Sequence, residues 1–119
     1  MADLEFSLKL KEKPVVIIDA DGVRKNYTLR ELSGRQRGKY FGELGDRMEF
    51  DEQGRLKRVK NYEGLESSLL SRCLYDENNQ LVKREVIEDY PASVLAKLFE
   101  AAQELSGLGG TAEADAKNS

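Results

Sequence analysis

The sequence predicts an α+β fold, in which an N-terminal β-hairpin or small antiparallel sheet is followed by a mainly helical region. Two observations predict it. Before residue 30 the apolar residues alternate or form short β-branched runs, and after residue 33 they recur every three or four positions. A chain of 119 residues fits one domain. We predict a single domain over residues 1–107 and a disordered tail over residues 108–119, because that tail is small and polar.

The N-terminal part carries three candidate strands. Residues 4–10 alternate between apolar and polar side chains, which is typical of a half-buried strand. Residues 15–19 and 23–28 form two further strands, and Asp21-Gly22 between them suits a tight turn that needs a positive φ. We therefore expect an antiparallel hairpin of these two strands, with the strand at residues 4–10 beside it.

The first helix is predicted to begin after Ser33, because Ser33 and Gln36 have the spacing of a capping box. Its apolar residues recur at helical spacing: Tyr40, Phe41, Leu44 and Met48. Three glycines lie four positions apart and share one face: Gly34, Gly38 and Gly42. Each interior glycine weakens a helix by about 1 kcal/mol. This glycine face indicates either a groove for a partner helix or a frayed or broken helix with close internal packing. The second interpretation is favoured, because intrinsic helix propensity is only a weak guide.

The segment 49–60 is the most charged part of the chain. A turn is predicted at 51–54, and a small basic cluster follows it, formed by Arg55, Lys57, Arg58 and Lys60. The cluster could contact an acidic partner or RNA. A solvated face is favoured, because acidic residues come directly before it.

The next helix is predicted after Asn61, which suits a helix cap. Leu65, Leu69 and Cys73 are spaced four apart, so they predict an amphipathic helix of about three turns. Cys73 lies on the apolar stripe and is interpreted as a small core residue rather than a nucleophile. The Asx-rich residues 76–80 then predict a turn.

Two helices complete the prediction. A short one at residues 84–89 ends before Pro91, and a longer one runs from Pro91 to a glycine stop at Gly107. The longer helix carries a broad apolar stripe, formed by Val94, Leu95, Leu98, Phe99, Ala101, Ala102 and Leu105. Such a stripe can serve both a core and a partner.

The composition excludes most catalytic machinery. The chain has no His and one Cys, so neither a Ser-His-Asp triad nor a Cys-His pair can be built. Residues 19–22 and 76–80 resemble the start of a calcium loop but lack the later ligands. A net charge of -3 argues against nucleic-acid binding, and neither a membrane span nor a signal peptide is predicted. We therefore expect no enzymatic activity and no cofactor; the remaining enzymatic alternative is a carboxylate-bound metal.

The C-terminal half resembles a known family through three runs of residues, at 64–77, 87–95 and 98–108. The run Cys73-Leu74-Tyr75-Asp76 and the helix Leu98-Phe99-Glu100-Ala101-Ala102, which ends in Gly107-Leu108, carry most of the similarity. This order is similar to the tail assembly chaperones of long-tailed bacteriophages and prophages. The resemblance covers about residues 23–108 and is strongest after residue 60.

The resemblance implies a non-enzymatic protein that binds the tape measure protein and helps tail tube protein to assemble around it. It also implies a location in the host bacterial cytoplasm and absence from the mature virion. The alternative is a structural tail-completion or adaptor subunit that stays in the phage particle. The glycine face and the broad apolar stripe would also allow a homo-oligomer.

Four residues are predicted to contact a partner. Leu95 and Phe99 lie at the edge of the apolar stripe, and Tyr40 and Phe41 lie beside the glycine face. The remaining large stripe residues are assigned to the core: Val94, Leu98, Ala102 and Leu105. Exposed apolar side chains of this kind are what a chaperone for a helical client requires.

Overall fold

The computed structural model of the chain describes residues 4–59 and 64–108. The predicted α+β class is confirmed: an N-terminal antiparallel sheet is followed by helices. The elements within the described residues are β1 (Glu12–Ile18), β2 (Arg24–Arg30), α1 (Gly34–Asp46), β3 (Met48–Phe50), β4 (Leu56–Val59), α2 (Leu65–Leu70), β5 (Leu74–Tyr75), α3 (Arg84–Glu88) and α4 (Ala92–Leu105).

The predicted hairpin of β1 and β2 is confirmed, and Val15 lies opposite Tyr27 in its antiparallel register. The turn forms as its residues predict. The Asp19 carboxylate accepts hydrogen bonds from the N–H groups of Asp21 and Val23 at 2.9 and 3.0 Å, and Gly22 adopts a φ of 84°. On its other side β2 pairs with β5, so the described part of this sheet has the order β1-β2-β5.

The strand predicted at residues 4–10 is wrong: this segment forms no strand, and all seven of its residues are exposed. Alternation specifies which side chains share a face, but a strand also needs a neighbour to bond. The pairing with β2 extends only as far as Lys11. Its carbonyl accepts a hydrogen bond from the Glu31 N–H at 2.8 Å, and its own N–H donates to the Glu31 carboxylate at 2.7 Å.

The capping box of α1 is confirmed, with Ser33 Oγ accepting from the Gln36 N–H at 3.3 Å and Gln36 Oε1 accepting from the Ser33 N–H at 2.9 Å. The helix continues unbroken to Asp46, and Met48 lies beyond it in β3. A Cβ atom added at any glycine of the face would meet no neighbouring atom within 4 Å: Gly34, Gly38 and Gly42. The expected break in the helix and the expected close packing at this face are therefore wrong.

The hairpin of β3 and β4 was not predicted beyond its turn at 51–54. There the Asp51 carboxylate accepts from the N–H groups of Gln53 and Arg55, both at 2.9 Å, and Gly54 has a φ of 80°. Lys57 and Arg58 of the basic cluster are exposed and form ion pairs with Glu49. These two residues thus lie on a solvated face; Lys60 and Asn61 lie outside the described residues.

The helix predicted to reach Cys73 is one turn too long, since α2 ends at Leu70. Two short-range bonds tighten the chain there: the N–H of Arg72 donates to the carbonyl of Leu69 at 3.0 Å, and that of Cys73 to Leu70 at 3.1 Å. The next residues are then extended in β5 against β2. Pairing with a distant strand ended the helix, and the local apolar spacing carries no sign of it.

The last three predicted elements are confirmed. The turn at 76–80 forms around the Asp76 carboxylate, with Asn79 at a φ of 63°, and both α3 and α4 are present. Gly107 stops α4 with a φ of 67°. The N–H of Leu108 then donates to the Gln103 carbonyl at 2.8 Å, and Leu108 is buried in the core. Leu108 therefore belongs to the folded part; residues 109–119 lie outside the described residues.

One continuous core joins the sheet to the helices. Residues from β2, β5 and all four helices contribute to it, and α2 packs against both α3 and α4. Its largest fully buried side chains are Tyr40, Phe99, Leu29, Leu69, Leu70, Leu74 and Ile87. The assembly of one sheet and several helices around this core fits the layered arrangement of small α+β domains.

Candidate partner-binding surface

The apolar stripe of α4 has two flanks, and helical spacing places Leu98 and Ala102 in its centre. On the first flank, Leu95 and Phe99 turn toward α2. Phe99 is only 1% exposed, so its side chain belongs to the core although it lies at the edge of the stripe. Leu95 is half-buried and lines a cavity of about 260 Å³ together with residues of α2 and α3. The lining residues are Gly64, Glu66, Ser67, Glu88 and Leu95.

The two residues predicted on α1 also have different environments. Tyr40 is fully buried in the core, whereas Phe41 is half-buried. The two ring centroids are 5.9 Å apart. The guanidinium carbon of Arg37 lies 5.1 Å from the Phe41 ring centroid, within the range of a cation–π contact. Of the four predicted residues, the structure thus leaves Leu95 and Phe41 accessible, on different helices; partner contact by any of the four stays a prediction.

The second flank of α4 faces a groove that sequence reasoning missed. Val94, Leu98 and Ala101 form its floor, and β1 forms its wall with the apolar run 15–18. The groove has a volume of about 520 Å³. Val16 and Ile18 remain 47% and 57% exposed. Lys13 and Lys97 also line it, so the groove is apolar and flanked by two cations. We define these residues as the β1–α4 groove.

The signal that could have revealed this groove is the unbroken apolar run 15–18. A strand with one buried and one solvated face alternates between apolar and polar residues, whereas a strand covered on both faces reads as continuous apolar sequence. In the structure Val15 and Ile17 pack against the core, while Val16 and Ile18 are exposed. β1 therefore has more apolar surface than the described residues of the chain cover.

The outer edge of β1 has no strand beside it in the described part of the chain. The hydrogen bonds from the Asp19 N–H to Val23 and from the Glu31 N–H to Lys11 fix which residues bond β2. These are the odd-numbered residues, because bonding alternates along an antiparallel strand. The backbone groups of Glu12, Val16 and Ile18 consequently point to the open edge, as does the carbonyl of residue 14, which as proline has no N–H to offer.

A cluster of one carboxylate and three guanidinium groups lies between the helices. Glu43 of α1 binds Arg84 at 2.7 Å, Arg47 at 3.1 Å and Arg72 at 3.3 Å. Arg84 also donates to the Gly64 carbonyl at 3.1 Å. Hydrogen bonds from Arg84 first, and also from Arg47, lower the pKa of the Glu43 carboxyl to about 2. The cluster links α1 to α2 and α3.

The part of the chain that the structure describes offers neither a reactive thiol nor a cluster of metal ligands. Cys73 is a core residue, as predicted, and burial raises the pKa of its thiol to about 12. A thiol with such a pKa stays protonated at neutral pH and is a poor nucleophile. Residues 4–59 and 64–108 contain no group of three His, Cys, Asp or Glu placed to hold a metal ion. Among the same residues, no helix has the length and apolar character that a membrane crossing requires.

Comparison with known proteins shows a similarity of fold but not of sequence family. No family model matches the sequence, and no curated protein matches it. The fold is similar to the solved structure of the bacteriophage HK97 tail assembly chaperone, with a TM-score of 0.53 and 20% sequence identity. The similarity covers 81% of this chain and 85% of that chain. Because it spans most of both chains, it shows that they share their overall fold.

Proposed function

We propose that this chain is a phage tail assembly chaperone that binds the tape measure protein and helps tail tube protein to assemble around it. The main observation that supports this proposal is the fold shared with the HK97 tail assembly chaperone over 81% of the chain. The order of residues in the C-terminal half independently resembles the same family. The proposed role needs no catalytic group, and its proposed place is the host bacterial cytoplasm before the tail is complete.

Leu95 is the first candidate for contact with the client. It lies on α4 beside a cavity, and Glu66 and Glu88 line the same cavity. An apolar side chain with acidic neighbours suits a client helix that presents apolar and basic residues on one face. Phe41, partly covered by Arg37, is the second candidate on this proposal.

Co-expression with the tape measure protein of the same phage tests the proposal. We expect the chain to keep the tape measure protein in the soluble fraction, and Leu95→Asp to reduce that fraction several-fold. Ala96→Asp is the matched control, because Ala96 is exposed on the same helix. Circular dichroism must show that both variants fold. A tape measure protein that is equally insoluble with and without the wild-type chain would overturn the proposed function.

The alternative of a structural subunit makes a different prediction about the finished particle. A chaperone leaves before maturation, whereas a tail-completion or adaptor subunit remains at a fixed copy number. We expect mass spectrometry of purified virions to find tail tube protein and tape measure protein but not this chain. Detection of the chain at a constant ratio to those proteins would favour the structural subunit.

A further inference from the structure

The N-terminal arm, defined as residues 4–10, carries four exposed apolar side chains. Its apolar residues are Leu4, Phe6, Leu8 and Leu10, which are 76%, 81%, 98% and 36% exposed. They alternate with Glu5, Ser7 and Lys9, so in an extended conformation they all lie on one face. Contiguous exposed apolar side chains of this kind mark an interaction site.

The arm cannot reach the open edge of β1 in its own chain without losing existing bonds. Only Lys11 separates it from β1, and both backbone groups of Lys11 are bonded to Glu31. A hairpin between the arm and β1 would turn the chain at this point and break both bonds.

The β1–α4 groove has the features that a strand like the arm requires. An added strand would lie about 4.8 Å from β1 and bond its outward N–H and C=O groups. Both groups are available at Val16 and Ile18, whereas Pro14 offers only its carbonyl. One face of the added strand would lie over Val94 and Ala101 on α4, and the other would face solvent. Such a position needs apolar and polar residues in strict alternation.

We propose that the β1–α4 groove binds the N-terminal arm of a second copy of this chain as an additional strand beside β1. The arm and β1 are both seven residues long. The apolar face of the arm covers the floor of the groove, and its polar face, which carries Glu5, Ser7 and Lys9, faces solvent. The inference does not depend on the proposed chaperone function, because both the arm and the groove belong to this chain.

Sedimentation of the full chain over a range of concentrations tests self-association. We expect association that rises with concentration, and at least a tenfold weakening by the double variant Phe6→Asp with Leu8→Asp. Ser7→Asp is the matched control, since it adds charge to the polar face of the arm and should leave association unchanged. The arm lies outside the core, so these variants keep the fold. A wild-type chain that remains monomeric throughout would overturn the proposal.

A mixing experiment distinguishes this contact from any other interface. Ala101→Glu blocks the groove but leaves the arm intact, whereas the Phe6→Asp and Leu8→Asp variant has an intact groove. Each variant alone should be monomeric, and an equal mixture should form a one-to-one dimer. Val94→Glu replaces Ala101→Glu if the latter fails to fold. Association that survives in both separate variants would place the interface elsewhere and overturn the proposal.

Two other occupants of the groove, the arm of the same chain and the client, would give different experimental results. Hydrogen exchange that protects the arm in a monomer would show that it binds its own chain. Loss of tape measure solubility in Ala101→Glu, together with a monomeric wild type, would show that the client occupies the groove. Either result overturns exchange of the arm between copies, and the second one leaves the proposed chaperone function standing.

Discussion

The two flanks of α4 differ in what covers them. On one flank Phe99 is buried and Leu95 half-buried, because α2 packs there against α4. On the other flank, Val94 and Ala101 border the open β1–α4 groove. Both flanks are apolar in sequence, so hydrophobicity alone does not distinguish core from surface. The distinction comes from which neighbouring element reaches each side of the helix.

The same contrast extends through the molecule. Beside the covered flank, a cluster of four charged side chains around Glu43 ties α1 to α2 and α3. Beside the open flank, the edge of β1 is unpaired in the described part of the chain, and the arm before it is exposed. The covered side is therefore completed within one chain. The open side has the surface and the unpaired backbone groups that a second chain could complete.

Phe99→Ala should have the largest effect on stability. It removes a buried aromatic side chain from the covered flank, and we expect the free energy of unfolding to fall by about 3–5 kcal/mol. Val94→Ala on the open flank is the matched control, with an expected loss of about 1 kcal/mol. Urea denaturation followed by circular dichroism measures both. Equal losses at the two positions would contradict the difference between the flanks.

Glu43→Gln should have the next largest effect, because it leaves three guanidinium groups without their carboxylate. The pKa of Glu43 is lowered from 4.5 to about 2. A carboxyl whose pKa is lower in the folded than in the unfolded chain stabilises the fold at pH values above its unfolded pKa. This pKa shift corresponds to a contribution of about 3 kcal/mol at most to the free energy of unfolding. Since the side chain is 24% exposed, we expect a loss of about 1–2 kcal/mol at pH 7.

The pH dependence gives this prediction its check. The stabilisation by Glu43 is complete above about pH 5 and disappears as the pH falls through 4.5 toward 2. The difference between wild type and Glu43→Gln, measured by urea denaturation, should therefore shrink as the pH is lowered. Glu85→Gln is the control, because Glu85 is an exposed carboxylate on α3. A difference that stays constant between pH 7 and pH 3 would show that the cluster does not act through this charge.

Local signals in the sequence were enough for the elements that depend on neighbouring residues. The turn at Asp19–Gly22, the capping box at Ser33 and the stop at Gly107 are each determined by a few adjacent side chains and backbone angles. The arm and the end of α2 depend instead on a distant partner. β5 forms because Leu74 lies opposite Leu29, and no local pattern contains that pairing.

The candidate surface, like the fold, was predictable only where it depends on local sequence. The sequence shows that α4 has a stripe wider than one contact needs, but it does not show which flank α2 covers. To decide which of Leu95, Phe99 and Val94 are accessible, one must know where α2 and β1 lie beside α4. Tyr40 and Phe41 are adjacent in sequence, so they project at different angles from α1, and the core covers Tyr40 fully but Phe41 only in part. Three-dimensional packing, rather than residue type, decides these assignments.

Gly42→Ala should have the smallest effect and the opposite sign. Gly42 lies on the open glycine face of α1, where an added Cβ meets nothing within 4 Å. Alanine is the better helix former, so the free energy of unfolding should rise by about 0.5–1 kcal/mol. Gly107→Ala is the contrasting variant: Gly107 has a φ of 67°, and alanine there should lower stability by about 1 kcal/mol. Thermal and urea unfolding measure both signs.

The Gly42→Ala variant also tests whether the glycine face of α1 binds a partner. If the glycine face binds nothing, Gly42→Ala should gain stability without changing either self-association or the solubility of co-expressed tape measure protein. A gain in stability together with a loss in one of those two assays would show that a partner approaches α1 closely at this glycine. The face would then join the β1–α4 groove as a second surface that this chain leaves open for another protein.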